Sequence, residues 1–180
     1  MRIQISQVKL LPASLDVVAD YQNSGLSEID WGDILKHPSS YRVFRMMYGR
    51  TPLSLIAVSV RSPYNEMSDH LYVDRIEKMP KAEAIPGIGV LSLIKLIMLS
   101  KKYRCGGKLL LDATRNSQAF YKKVGMEEIG IRTFRFTPRI ANRFTQWATN
   151  YLSTKGYVQN PTIEDGKILY GDFNIGPRRG

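Results

Sequence analysis

One stretch limits the possible folds more than any other. Pro86-Gly87-Ile88-Gly89 runs directly into Val90–Lys102, which is apolar nearly all round. Its apolar run, Val90 to Leu99, is interrupted only by Ser92 and Lys95. A helix apolar on every side must be buried on more than one face, so other elements have to enclose it. The run is too short to span a bilayer. Gly106-Gly107 then breaks the chain before Lys108–Ala113, which reads as a short interior strand around Leu109-Leu110-Leu111.

The flanking sequence supplies strands and shorter helices. Ile3 to Leu10 predicts a first strand, ended by Pro12. Ser14 is a candidate N-cap for a helix over Leu15–Tyr21 that stops at Gly25, and 26–37 suits a short amphipathic helix. Tyr41–Tyr48 and Leu53–Val60 predict two strands joined as a hairpin through Gly49-Arg50-Thr51-Pro52. Residues 61–68 read as a loop, His70–Ile76 as a strand and 80–86 as a further loop. Ser117 to Lys123 predicts a helix closed by Gly125, and Ile129–Phe136 a strand. Pro138 to Ser153 predicts an amphipathic helix, Lys167–Ile175 a last strand, and 176–180 a mobile tail. With no repeat, low-complexity block or linker, residues 1–180 read as a single mixed α/β domain.

Charge narrows the partners. The 180 residues carry 26 basic and 16 acidic side chains, a formal +10. Residues 1–94 are balanced, with ten of each sign; 95–143 hold twelve basic and three acidic. A basic segment favours phosphorylated ligands, nucleic acid or acidic surfaces. Cys105 is the only cysteine, so neither an intrachain disulfide nor a multi-cysteine zinc site is open to the chain. His37 and His70 lack metal-ligand spacing. The N-terminus has no signal-peptide apolar region, so a cytoplasmic location is expected.

Gly87 and Gly89 introduce a helix N-terminus, where backbone N–H groups and the helix dipole attract phosphate. The dinucleotide pattern of three spaced glycines is not followed, because position 92 is Ser. There is no Gly-Lys-Ser/Thr of a phosphate-binding P-loop either.

Downstream, Asn116-Ser117-Gln118-Ala119-Phe120-Tyr121-Lys122-Lys123-Val124-Gly125-Met126 resembles the signature of the GNAT superfamily of N-acetyltransferases. The family reads Asn-x-x-Ala-x-x-Phe-Tyr-x-x-x-Gly-Phe; here Ala119 directly precedes the aromatic pair and Met126 replaces the last aromatic. Ala84-Ile85-Pro86-Gly87-Ile88-Gly89 matches the glycines of the family's acetyl-CoA loop, Gln/Arg-x-x-Gly-x-Gly/Ala, with Ala84 in place of the polar residue. The resemblance covers residues 41–126. It implies a GNAT-like α/β fold whose central sheet splays between 70–76 and 108–113, with an extra C-terminal helix here. It further implies acetyl-CoA as co-substrate, no metal, and acetyl transfer to an amine. Contacts to acetyl-CoA are implied from Gly87, Ile88, Gly89 and Val90, from Asn116 and from Phe120. Lys81, Lys122 and Lys123 are candidates for the phosphate charge that Ala84 does not meet. Tyr121 takes the family's general-acid position. The base is sought on the 70–76 strand, where His70, Tyr72 and Asp74 share a face; His70 and Asp74 are the candidates, with Glu77 and Glu83 as alternatives at the mouth. The acceptor stays open among small amines, peptide or protein amines and aminoacyl-tRNA.

The other class of function is a nucleic-acid-binding module on a degenerate GNAT fold. Arg132, Arg135, Arg139 and Arg143 are interleaved with Phe134, Phe136 and Phe144, a pattern suited to RNA or tRNA phosphates and bases. An apolar patch on the 138–153 helix would instead suit a homodimer.

Overall fold

The computed structural model describes residues 3–61, 69–82, 84–158, 162–164 and 167–169. Seven strands form the main sheet: β2 (Val8–Pro12), β3 (Arg42–Tyr48), β4 (Thr51–Arg61), β5 (His70–Lys78), β6 (Leu109–Asp112), β7 (Glu127–Glu128) and β8 (Thr133–Phe136). Their order is β2-β3-β4-β5-β6-β8-β7, and every neighbouring pair is antiparallel except β5–β6. β1 (Ile3–Gln4) pairs in parallel with β9 (Tyr157–Val158), and β10 (Thr162–Glu164) pairs antiparallel with β11 (Lys167–Leu169). The helices are α1 (Leu15–Asn23), α2 (Gly32–Lys36), α3 (Ile88–Lys102), α4 (Gln118–Lys123) and α5 (Pro138–Thr154).

Strand alternation sorts the core onto two faces. Phe44, Ile56, Val58, Leu71, Val73, Leu109, Leu111, Phe134 and Phe136 point to the side covered by α3 and α5. Val43, Leu55 and Ala57 point to the side covered by α1 and α2, where Val18, Tyr21, Trp31 and Ile34 meet them. The all-round apolar helix therefore lies against the sheet with α5 packed on it in turn. Its two polar interruptions are satisfied internally: Ser92 Oγ lies 3.3 Å from Ser54 Oγ, and Lys95 Nζ donates to the Ile5 carbonyl at 3.0 Å. Burial takes Lys95 down to about 8. At the end of β8, Thr137 caps α5 by accepting from the Ile140 N–H, and Pro138 occupies its first turn.

The hairpin, the strand from His70, α3, β6, α4 and α5 follow the sequence expectation. Three elements differ for identifiable reasons. The strand over 3–10 is broken by a 3-10 turn at Ile5–Gln7, whose carbonyl Lys95 holds. The expected helix over 26–37 is confined to Gly32–Lys36. Before it, side chains take the backbone donors: Glu77 accepts from the Glu28 N–H and Gln22 Oε1 from the Trp31 N–H at 2.8 Å. The strand over 129–136 shortens to Thr133–Phe136, because Gly130–Arg132 turns the chain and Ile129 N–H closes on Thr133 O at 2.9 Å. The loop expected at 61–68 lies, from 62 on, outside the described residues, as do 170–175 of the last strand and the tail 176–180. No helix among the described residues is long and apolar enough to cross a membrane.

Candidate active site

The sheet opens at its one parallel pair. β5 and β6 are in register only over Leu71–Val73 and Leu109–Leu111. β5 then runs on to Lys78, while β6 ends at Asp112 and the chain turns away through Thr114 and Ser117 into α4. The register of β4 with β5 slips at the same place: Val58 faces Val73 but Ala57 faces Arg75, so Asp74 is a bulge residue. A cleft of about 1000 Å³ fills the opening. Val73–Lys78, Leu111 and Asp112, the Thr114–Ser117 turn with Asn116, Tyr121, and residues of the 26–30 segment line it. A smaller hollow of about 150 Å³ shares Ile76, Lys78 and Tyr121 with the cleft and reaches Ile88, Gly89 and Phe120.

Tyr121 stands where the two spaces meet. Its side chain is 6% exposed, with its ring 5.2 Å from Phe120 and 5.6 Å from Phe134. Burial pushes its phenol up to about 12, so it stays protonated at neutral pH. At the start of α3 the first helical bond runs from Leu91 N–H to Gly87 O, so the Ile88, Gly89 and Val90 N–H groups precede the ladder. Ile88 and Val90 send their side chains into the core. Tyr157 Oη donates to the Pro86 carbonyl at 2.8 Å and pins the loop.

The structure brings Asn116, Tyr121 and Asp74 into one cleft and connects it to Ile88, Gly89 and Phe120. Asp74 accepts from Ser59 Oγ at 2.8 Å and is ion-paired with Arg61; its burial raises its carboxyl above the usual range. His70 is not in this lining. It begins β5 at the closed end of the wedge and is buried. Glu77 does line the cleft, but its carboxylate is engaged: Ser27 Oγ donates at 2.8 Å, Trp31 Nε1 at 2.9 Å, and the Glu28 N–H donates as well. Glu83 lies outside the described residues. Lys122 is paired with Glu128 at 2.8 Å.

Two features escaped sequence reasoning. Asp112 accepts from Tyr72 Oη and, at 2.7 Å, from Thr133 Oγ1, while the Arg61 guanidinium lies 3.7 Å from the Tyr72 ring centroid. This chain of contacts links β4, β5, β6 and β8 where the sheet opens. The 26–30 segment forms a wall of the cleft, a role with no local sequence signal because Glu77, some 50 residues away, holds it.

The arginine run does not make one surface. Phe134, Phe136 and Phe144 are buried in the core and present no face for base stacking. Arg135 alternates to the opposite side of β8 and pairs with Glu127 at 2.9 Å, whereas Arg139 and Arg143 are exposed on α5. On the same helix Trp147 is 41% exposed and stacks on Tyr151 at 5.1 Å.

No protein-family model matches the chain, and no curated protein matches its sequence. Solved structures do resemble it. A bacterial toxin superposes with a TM-score of 0.58 at 10% identity, covering 81% of this chain and 97% of that one. The AtaTR complex bound with acetyl-CoA gives 0.54 at 13% identity, over 77% and 98% of the two chains. The KacTA–DNA complex gives 0.52 at 10% identity, over 77% and 97%. At these identities the similarity concerns architecture: the chain has a GNAT-like mixed α/β fold, built on a seven-stranded sheet, of the kind seen in these structures.

Proposed function

We propose that this chain is an acetyl-CoA-dependent N-acetyltransferase, with residues 1–180 forming one acyltransferase domain. The observation that carries the proposal is the open edge of β5. Beyond Val73 it has no β6 partner, faces a cleft that holds Tyr121, and leads to the start of α3. The residues fit acetyl-CoA. An extended pantetheine arm suits the edge of β5 that β6 leaves open beyond Val73, as an added strand suits a sheet edge. Asn116 lines the cleft and would hydrogen-bond that arm, Phe120 lines the hollow and would border its path, and the N–H groups of Ile88, Gly89 and Val90 suit the pyrophosphate. The likeness to a structure bound with acetyl-CoA supports the same assignment.

Acetyl-CoA would supply the thioester: the amine nitrogen bonds to the acetyl carbon and the carbon–sulfur bond breaks. The ammonium acceptor thereby loses two protons, one to the leaving sulfur and one to solvent. Tyr121 is the donor to sulfur, its proton held by burial until the thiolate forms. A backbone N–H of the bulged β5 segment stabilises the oxyanion. Of the two base candidates Asp74 has access to the cleft, and it takes the amine proton through water.

Calorimetry with acetyl-CoA tests the first step; absence of binding would overturn the proposal. Tyr121→Phe keeps the ring packing and removes the proton donor. It should lower kcat by about 100-fold while the acetyl-CoA Kd stays near that of the parent. Unchanged turnover would remove Tyr121 from the acid role.

A further inference from the structure

The chain is strongly basic, but its cleft is not. Five carboxylates line it, Glu28, Asp30, Asp74, Glu77 and Asp112, against Arg75 and Lys78. Arg61 offsets Asp74. Glu77 and Asp112 are held by neutral donors, which satisfy their oxygens without cancelling their charge. Arg75 is turned into the wall: its guanidinium donates to the Asp30 carbonyl at 3.0 Å and the Asp74 carbonyl at 2.7 Å, and lies 3.9 Å from Asp33. The 26–30 wall is anchored by Glu77 at Ser27 and Glu28 and by Gln22 at Trp31, so it presents Glu28 and Asp30 at fixed positions beside the cleft.

We infer that this wall selects an acceptor amine carrying a second positive charge. The inference rests on the acetyltransferase assignment and names the acceptor class for the same cleft. The recognised chemistry is a primary ammonium at the reacting end with another cation further along, where Glu28 and Asp30 meet it. A free diamine and a lysine flanked by basic residues both carry that chemistry. A carboxylate or phosphate at the second position meets like charge, and such repulsion discriminates as effectively as attraction.

Thiol release from acetyl-CoA is measured with 1,5-diaminopentane, n-pentylamine and 5-aminopentanoate, which share an amine and differ in the charge at the far end. A parallel series uses end-blocked Arg-Lys-Arg, Gln-Lys-Gln and Glu-Lys-Glu peptides, and the faster of the two dicationic substrates identifies the source. In that series kcat/KM should fall from dication to neutral by about tenfold, as two exposed ion pairs of ordinary strength would give, and fall again for the anion. Glu28→Gln with Asp30→Asn should bring dication and neutral amine together without changing acetyl-CoA affinity, and Glu28→Lys, at an exposed position, should favour the anion. Equal or reversed order in the parent, or a preference that survives the double substitution, overturns the inference while leaving the enzyme assignment intact. Failure of every amine in a protein that does not bind acetyl-CoA overturns both.

Discussion

Gly87 and Gly89 lie two positions apart, and their missing side chains serve different ends. Gly87 has φ of +83°, and a Cβ there would meet Leu152 Cδ2 at 2.8 Å. Gly87→Ala therefore combines left-handed strain with overpacking and should cost about 2–4 kcal/mol, read in a denaturant melt. Gly89 lies inside α3, and its Cβ would meet the Phe120 ring at 3.0 Å. Gly89→Ala should keep stability within about 1 kcal/mol, because alanine favours the helix. It must push Phe120 toward the hollow, so the acetyl-CoA Kd measured by calorimetry should rise. Equal loss of stability in both variants would show that the two glycines are needed for packing alone. The sequence motif marked both positions but did not separate them, since the neighbours that distinguish them, Leu152 and Phe120, come from α5 and α4.

Elements that carry their own periodicity were legible in the sequence; those held by distant side chains were not. α3 announces itself through apolar residues on all sides, and α5 through its amphipathic stripe with a Thr-Pro start. Residues 26–31 have helix-like spacing, yet Glu77 and Gln22 bind their backbone, and a local pattern carries no trace of that. Glu77→Gln should release this wall. It should cost about 1–3 kcal/mol and raise the acceptor KM far more than the acetyl-CoA Kd; equal changes in the two would deny the segment a role on the acceptor side. α3 also carries a titration. Burial holds Lys95 at about 8 against an ordinary 10.5, so the unfolded chain binds more protons between those values. The charged form is penalised below about pH 8, and stability should rise by up to about 3 kcal/mol as pH climbs from 8 toward 10.5. Lys95→Met should flatten that rise in urea melts recorded across the same range.

Across the whole molecule, the positive charge is divided in a way that the linear sequence conceals. Lys122 and Arg135 are offset by Glu128 and Glu127, and the cleft between β5 and β6 is acidic. Lys101, whose Nζ lies 3.3 Å from Asn142 Oδ1, joins Arg139 and Arg143 on the α3–α5 side. That group lies at the end of α3, whereas Gly87 and Leu152 meet at its start, so the two helices run antiparallel and separate this basic end from the cleft. A polyanion held by Lys101, Arg139 and Arg143 alone meets three cations. Binding of an unstructured RNA should then show a slope of about −2 in log K against log salt. Arg139→Glu with Arg143→Glu should abolish that binding and leave acetyl-CoA affinity and amine turnover unchanged, since neither residue borders the cleft. A slope of about −5 or steeper would bring in further cations such as Lys102 and Arg104, and loss of turnover in the double variant would mean that the basic end and the cleft grip one extended acceptor together.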